Sequence, residues 1–421
     1  MLRRSLLSLG AGLALTGVLA GTAHADVTPA QAADYAAGWL GRTIDPTGYV
    51  PSLGGADYST TAYAVLALVA AEVGEAQAAE ATAYLFAHVE EFASPGADDL
   101  PGALALLILV GDARGLDVSA LVTRLLATKR TTGADAGLFG AQDATYDGAY
   151  RQALALLALA AVGQTDADAV AWLKAEQCAD GGWMGNRPDT SAPCPAFDFD
   201  TFVGEESNAT ALAAQALAAL GETPAHDPLE FLADAQNDDG GFGFIPGFGS
   251  DANSTGLAVQ ALIALGEDLA DWAAPDGTPY DFLLSLQLPN PPASTAGALA
   301  FQAGPGGTLT ANAFATAQAV PALAGKAFPL APATLSATLP LYPAPVAPPT
   351  LRPTPSASAP ATPAPLPTRV VDAAPVPELP ATGPVGQRPW DANGLLVVAF
   401  GLMGYGVLAL GGARLARRRD A

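Results

Sequence analysis

The sequence is poor in the side chains that carry most metal and redox chemistry: among 421 residues there are two cysteines, three histidines and three methionines. Past the first 25 residues only His88 and His226 remain, neither beside a cysteine in sequence, so a thiolate–imidazole zinc set is excluded and no metal ligands are assigned. Basic residues are scarce as well. The 18 Lys and Arg stand against 41 Asp and Glu, for a net charge of −23. Setting aside residues 1–25 (two Arg) and everything after Thr382 (five Arg, two Asp) moves that balance to −28. Such a surface repels nucleic acid and anionic lipid, which excludes nucleic acid as a partner. Two readings of the acidity stay open: solubility at a crowded cell surface, or attraction of cationic or metal-bearing ligands. No strand ladder is apparent in the central part of the chain.

Four stretches differ in composition. Residues 1–25 have Arg3 and Arg4, an apolar run from Leu6 to Ala20, and then Ala23-His24-Ala25. This is the layout of a signal peptide cleaved between Ala25 and Asp26, with Sec export preferred to the twin-arginine route. From 26 to 328 the chain is rich in Ala and Leu and reads as the folded domain. Residues 329–378 are rich in Pro, Ala, Thr and Ser, and no packed core is expected from them. As polyproline II at ~3.1 Å per residue they would reach roughly 150 Å, which suits a wall-spanning linker. Residues 379–421 close with an apolar run from Gly394 to Gly412 and then Arg414, Arg417, Arg418 and Arg419. That run is close to the ~20 residues that span a bilayer, and the arginines suit cytoplasmic retention.

Cys178 and Cys194 lie in one Gly-, Pro- and Asp-rich loop. In an exported chain they are expected to form a disulfide, worth on the order of 3 kcal/mol in the chain-entropy account. Its expected role is to shape that loop.

Leu379-Pro380-Ala381-Thr382-Gly383, followed by the apolar run and the arginines, resembles a Gram-positive LPXTG cell-wall sorting signal. The resemblance implies a sortase as partner, cleavage between Thr382 and Gly383, and covalent attachment to peptidoglycan through Thr382.

Within 26–328 there is a repeat. Asn208 to Leu217 and Asn253 to Leu262 match closely, and each runs on to a glycine, Gly221 or Gly266. Looser copies are Tyr58 to Val69, Leu100 to Gly111, Tyr146 to Gly163 with Gln152-Ala153-Leu154, and Thr310 to Gly325 with Gln318-Ala319-Val320. Most open on a residue that can cap a helix and close on glycine. Stretches such as Ala209 to Leu220 carry no charge on any face and read as helices buried all round. More amphipathic partners precede or separate them, at about Pro29 to Arg42, Glu75 to Glu91, Asp117 to Lys129, Asp166 to Gln177, Pro228 to Gln236 and Tyr280 to Gln287. Six apolar and six amphipathic helices in alternation predict an all-α fold, an α6/α6 toroid with an inner and an outer ring around a central cavity.

At two joints stand Gln177-Cys178-Ala179-Asp180-Gly181-Gly182-Trp183 and Gln236-Asn237-Asp238-Asp239-Gly240-Gly241-Phe242. These resemble the QW repeat of squalene and terpene cyclases and the related prenyltransferase repeat. The inner phrase Ser254 to Leu262 is similar to the α-domain of cobalamin carriers. The resemblances cover about residues 30 to 325 and imply a ligand site where the inner helices begin. Candidate ligand-binding residues are Asp57, Tyr58, Asp147, Tyr150, Glu205, Asn208, Asp251 and Asn253, with Gln152, Gln215 and Gln260 deeper. Helix capping and inter-helix bonding are the competing readings for all of them.

Asp198-Phe199-Asp200-Thr201 is close to the Asp-x-Asp-Asp acid motif of class II terpene cyclases but lacks its last carboxylate, so Asp198 and Asp200 are weak catalytic candidates. Paired carboxylates from Asp147, Glu205, Glu206 and Asp251 would suit glycoside chemistry at the right separation. Cobalamin carriers clamp their ligand with a further β-domain, and here the linker takes that place. The expectation is a wall-anchored surface protein that binds a small or extended ligand, cobalamin-like, isoprenoid or glycan, without chemistry and without a resident cofactor. The alternatives are a terpene-cyclase-like or carbohydrate-active enzyme, and an adhesin or structural surface protein.

Overall fold

The computed structural model describes residues 27–96, 98–140, 148–186, 194–198, 200 and 203–344. The expected signal peptide with Ala25 and Asp26, the linker beyond 344, the sorting motif Leu379 to Gly383 and the apolar segment 394–412 lie outside the described residues. Among those described, no helix is long and apolar enough to cross a membrane.

The fold is mostly α, with thirteen α-helices and one small hairpin among the described residues. In chain order they are α1 (Pro29–Thr43), β1 (Val50–Ser52), β2 (Gly55–Asp57), α2 (Tyr58–Ala71), α3 (Glu75–Ala87), α4 (Val89–Ala93), α5 (Pro101–Ala113), α6 (Ser119–Ala127), α7 (Ala149–Ala161), α8 (Ala167–Ala175), α9 (Ser207–Ala219), α10 (Pro228–Ala235), α11 (Ala252–Leu265), α12 (Pro279–Ser285) and α13 (Ala313–Leu323). All twelve segments with helical patterning are helical, and the segment from Glu75 to Glu91 is broken at His88 into α3 and α4.

Local chemistry sets the boundaries. Thr28 and Gln31 form a reciprocal capping box at the start of α1, with Pro29 at its first position. Asp57, Asp166, Glu206, Asp227, Asp251 and Asn312 each accept a first-turn amide. Gly266 ends α11 in the left-handed region at φ 80°, a conformation that glycine adopts without strain.

Two kinds of helix result. In α2, α5, α7, α9, α11 and α13 nearly every residue is buried. These six pack in succession, α2 on α5, α5 on α7, α7 on α9, α9 on α11, α11 on α13, and α13 back on α2. The others bury one stripe, such as Leu121, Val122 and Leu125 of α6 or Phe231, Leu232 and Ala235 of α10. They pack on the first set, α3 on α2, α6 on α5, α8 on α7, α10 on α9, α12 on α11, and α1 on both α13 and α2.

The joints use the same bonds repeatedly. Gln177 donates to the carbonyls of Gly181 and His226 (both 2.9 Å) and accepts the His226 amide (2.8 Å). Gln236 bridges Gly240 and Trp272, and Gln287 bridges Gly297 and Ala32. Each glutamine therefore ties its own loop to the following amphipathic helix or to the segment that leads into it, the last of these helices being α1. After α6 that place falls to Lys129, whose Nζ lies 2.5 Å from the Asp166 carboxylate. Gly181 at φ 91° comes so close to the next segment that a Cβ there would lie 2.0 Å from the Asp227 carbonyl oxygen.

A second repeated bond reaches inward. The amide of Trp183 donates to the hydroxyl of Thr210 (2.9 Å), which donates to the Glu206 carbonyl (2.9 Å). The amides of Val50, Phe242 and Leu299 donate likewise to Thr61, Thr255 and Thr316 (2.9, 2.8 and 2.9 Å). Each threonine is the fourth residue after its helix cap, so one position of the repeat holds the loop to the buried helix.

The packed structure extends past the expected boundary at 328. Phe328, Leu330 and Leu335 are buried, and the chain lies against the helices as far as Tyr342. This segment adds to a finished surface by backbone bonds and isolated leucines, and needs no core of its own.

Replacing Thr210 by valine keeps the shape but leaves the Trp183 amide buried without an acceptor, which is expected to cost about 1–3 kcal/mol in chemical denaturation. A loss under 0.5 kcal/mol would show that this bond does not hold the joint.

Candidate functional site

At about 100° per residue, the second, sixth and ninth positions after a helix cap fall within about 60° of one another, while the fourth points elsewhere. The fourth position meets the loops, as the threonines show. The opposite face carries a set of polar side chains from five helices: Tyr63 (α2), Tyr150 (α7), Asn208 and Gln215 (α9), Asn253 and Gln260 (α11) and Gln318 (α13).

Five of these side chains make contacts within the set. The hydroxyls of Tyr63 and Tyr150 lie 3.4 Å apart, which joins α2 to α7. Asn253 Nδ2 donates to Gln318 Oε1 (2.5 Å), and Gln260 Nε2 donates to the Gln318 carbonyl (2.9 Å). Phe314 packs edge-on against Tyr63, with centroids 5.5 Å apart. Tyr63 and Gln318 are 2% exposed and Gln260 not at all, so no water-sized space opens beside Gln260. Tyr150, Asn208 and Phe314, all at second positions, are only partly buried. The accessible part of the cluster is therefore its rim, where the helices begin, and the deep lining expected around a central cavity is filled by side chains.

Two buried carboxylates cap helices at this end. Glu206 accepts the amides of Asn208 (2.6 Å) and Ala209 (2.7 Å), one on each oxygen. Asp251 accepts the Ser254 amide and hydroxyl (both 2.8 Å). Burial pushes Glu206 up to about 8 and Asp251 up to about 6; the amides oppose this in both cases, and the Asp251 charge adds to the rise at Glu206. Burial also raises Tyr63 and Tyr150, which keeps both phenols protonated as donors.

Two acceptors at the cluster are buried and unpartnered among the described residues, Asn208 Oδ1 and Gln260 Oε1. Buried polar atoms of this kind are uncommon; Asn208 is partly exposed at the rim, where a donor can approach, whereas Gln260 is enclosed.

No protein-family model and no curated protein matches this chain.

Of the residues expected from sequence, Tyr150, Asn208, Gln215, Asp251, Asn253 and Gln260 belong to the cluster or its rim. Others do not. Asp57 caps α2 through the Thr60 amide and hydroxyl as Asp251 caps α11, but it is only half-buried and starts a helix whose first residue, Tyr58, is turned away from the cluster. Tyr58 stacks on Phe92 at 5.4 Å and lies by Tyr84, a burial that pushes its phenol up to about 12; five residues before Tyr63, it points away from the cluster. Gln152 is out of register with Gln215 and Gln260. It stands fourth after Gly148, accepts the Phe139 amide and donates to the carbonyls of Gly137 and Ala169, a structural bond set equivalent to that of the threonines. Asp147 lies outside the described residues.

Glu205 pairs with Met184 and approaches the Cys178–Cys194 disulfide, while its neighbour Glu206 takes the buried place. Both sulfurs are committed to that disulfide, so the trio with Glu205 offers no thiolate to a metal. Asp198 and Asp200 are exposed, and the Asp200 amide donates to the Asp198 side chain (2.9 Å), a turn contact that gives neither acid the burial a proton donor needs; Phe199 and Thr201 lie outside the described residues. The residues missed were Tyr63 and Phe314, which read as core within apolar helices, and Gln318, whose Gln-Ala-Val phrase was a usable signal.

A carboxyl with a raised folded-state value binds its proton more tightly folded than unfolded, so its contribution is full below the unfolded value and lost as pH rises through the folded one. Stability should therefore fall between about pH 4.5 and about 8 on account of Glu206 and above about 3.8 to about 6 on account of Asp251. Thermal unfolding across this range should show a shallower decline above pH 6 for Glu206→Gln than for the wild type; equal slopes would contradict the burial of Glu206.

Proposed function

We propose that the chain is a six-pair α/α toroid that binds a polar, hydrogen-bonding ligand at the rim where the buried helices begin, without catalysis. A glycan is the first candidate, and an amide-rich molecule of cobalamin type is the second. The observation that carries the proposal is Asn208 Oδ1, buried without a partner among the described residues on a side chain that is itself partly exposed at the rim. The aromatic ring of Phe314, the amide of Asn208 and the neutral phenol of Tyr150 on one rim suit hydroxyl-bearing rings, which offer an apolar face and several donors at once. An isoprenoid fits less well, because it would cover these polar groups without bonding them.

The toroid reading is supported by the succession of buried helices that returns to α2 and by the glutamine joints that lead from α12 back to α1. The proposal extends to location. The signal-like residues 1–25, the LPXTG-like motif, the apolar run and the basic tail support export by Sec and attachment to peptidoglycan through Thr382 by a sortase.

A second reading, an acid–base enzyme, is favoured by one observation: Glu206 is raised to about 8 while Asp251 stands at about 6, so neutral and ionised carboxyls coexist near pH 7. Against it, both oxygens of each carboxyl are already engaged in capping.

Calorimetric titration with peptidoglycan-derived and other soluble glycans and with cyanocobalamin tests the proposal. Micromolar binding of one class is expected, weakened about tenfold or more in Tyr150→Ala, the scale of one lost aromatic contact with its hydrogen bond. Absence of binding by every class would overturn it. Turnover of a glycan that disappears in Glu206→Gln would favour the enzyme instead.

A further inference from the structure

The chain does not leave the domain where α13 ends. The Phe328 amide donates to Gln215 Oε1 on α9 (3.2 Å), and its ring lies 6.4 Å from that of Tyr63 on α2. Lys326 pairs with Glu72 at 2.7 Å. Ser336 then bridges Val73 as a strand would: its amide donates to the Glu72 carbonyl (2.8 Å), its carbonyl accepts the Glu75 amide (3.0 Å), and the Thr338 carbonyl accepts the Gly74 amide (3.1 Å).

The last part of the segment lies on three glycines. A Cβ on Gly38 would stand 2.1 Å from the Pro340 oxygen, one on Gly41 2.5 Å from the Leu339 side chain, and one on Gly74 2.6 Å from the same side chain. Gly38 and Gly41 are both inside α1, three residues apart and so on one side of it. Glycine is the poorest ordinary helix former, and two on one face need a reason beyond helix formation. Here that reason is backbone-close passage of another segment. Arg42 donates to the Pro340 carbonyl (3.0 Å) and Tyr342 packs on Tyr35 at 5.1 Å, which fixes the far end.

We propose that residues 326–342 are a clasp, fastening the last buried helix to the first three helices of the chain, so that everything beyond residue 344 is tied to the domain through this segment. The inference is independent of any ligand at the rim.

Gly38→Ala in the full chain separates it from ordinary helix effects. Helix propensity alone predicts a higher melting temperature for this substitution, whereas the clasp predicts a lower one. The clasp further predicts exchange of the Gly74 and Glu75 amides about tenfold faster, and new protease cleavage between 330 and 344. Should that variant fail to fold, Leu339→Ala, which removes atoms and adds none, reads the same two amides with the same expectation. Wild-type exchange rates at Gly74 and Glu75 in the folded variant, with an unchanged or raised melting temperature, would overturn the proposal.

Discussion

The architecture depends on a loop amide that cannot be left unpaired. Between an amphipathic helix and the buried helix that follows it, the chain drives a large side chain, Trp183 or Phe242, to zero exposure. Doing so takes the residue's own amide out of water, and only an acceptor on the buried helix can satisfy it. Thr210 and Thr255 supply that acceptor, as do Thr61, Gln152 and Thr316 at the corresponding joints. Once it is made, the register between loop and helix is fixed, and the glutamine before the loop is placed to reach the next segment. The close approach at Gly181 follows from the same register.

The polar rim is a consequence of that register. With the fourth position of α2, α7, α9, α11 and α13 committed to the loops, the second, sixth and ninth are turned to the opposite face. Their side chains can then meet across helices that are not sequence neighbours, as Tyr63 and Tyr150 do. Capping adds the charge: Glu206 and Asp251 are needed at helix starts, and their burial makes them unusually basic carboxyls. One constraint therefore yields both the fold and the chemistry on offer, which is why capping and ligand binding are not exclusive readings of the same residues.

The helices and their two classes were legible in the sequence, because uncharged stretches such as Ala209 to Leu220 admit no solvent face, and because Gln177 and Gln236 each stand ahead of a Gly-Gly-aromatic turn. The site was legible in part. Gln152 lies outside the polar cluster although it shares the Gln-Ala-Leu phrase, which recurs easily in an Ala- and Leu-rich chain; only the distance from the cap tells an inward glutamine from an outward one. Glu205 and Glu206 are adjacent and alike in sequence, and burial alone separates them. The segment after 328 hid its packing behind prolines, since Leu339 and Pro340 settle against distant glycines of α1 that no local pattern reveals.

If the buried helices close on themselves, no pair is terminal, and opening any joint strains all of them; an open array of stacked pairs would instead fray from its ends. Native-state hydrogen exchange at the amides of Val50, Phe139, Trp183, Phe242 and Leu299 distinguishes the two directly. The account predicts that all five exchange through one shared opening, with the same free energy and the same denaturant dependence. A gradient, with Val50 or Leu299 opening well before Trp183, would contradict it.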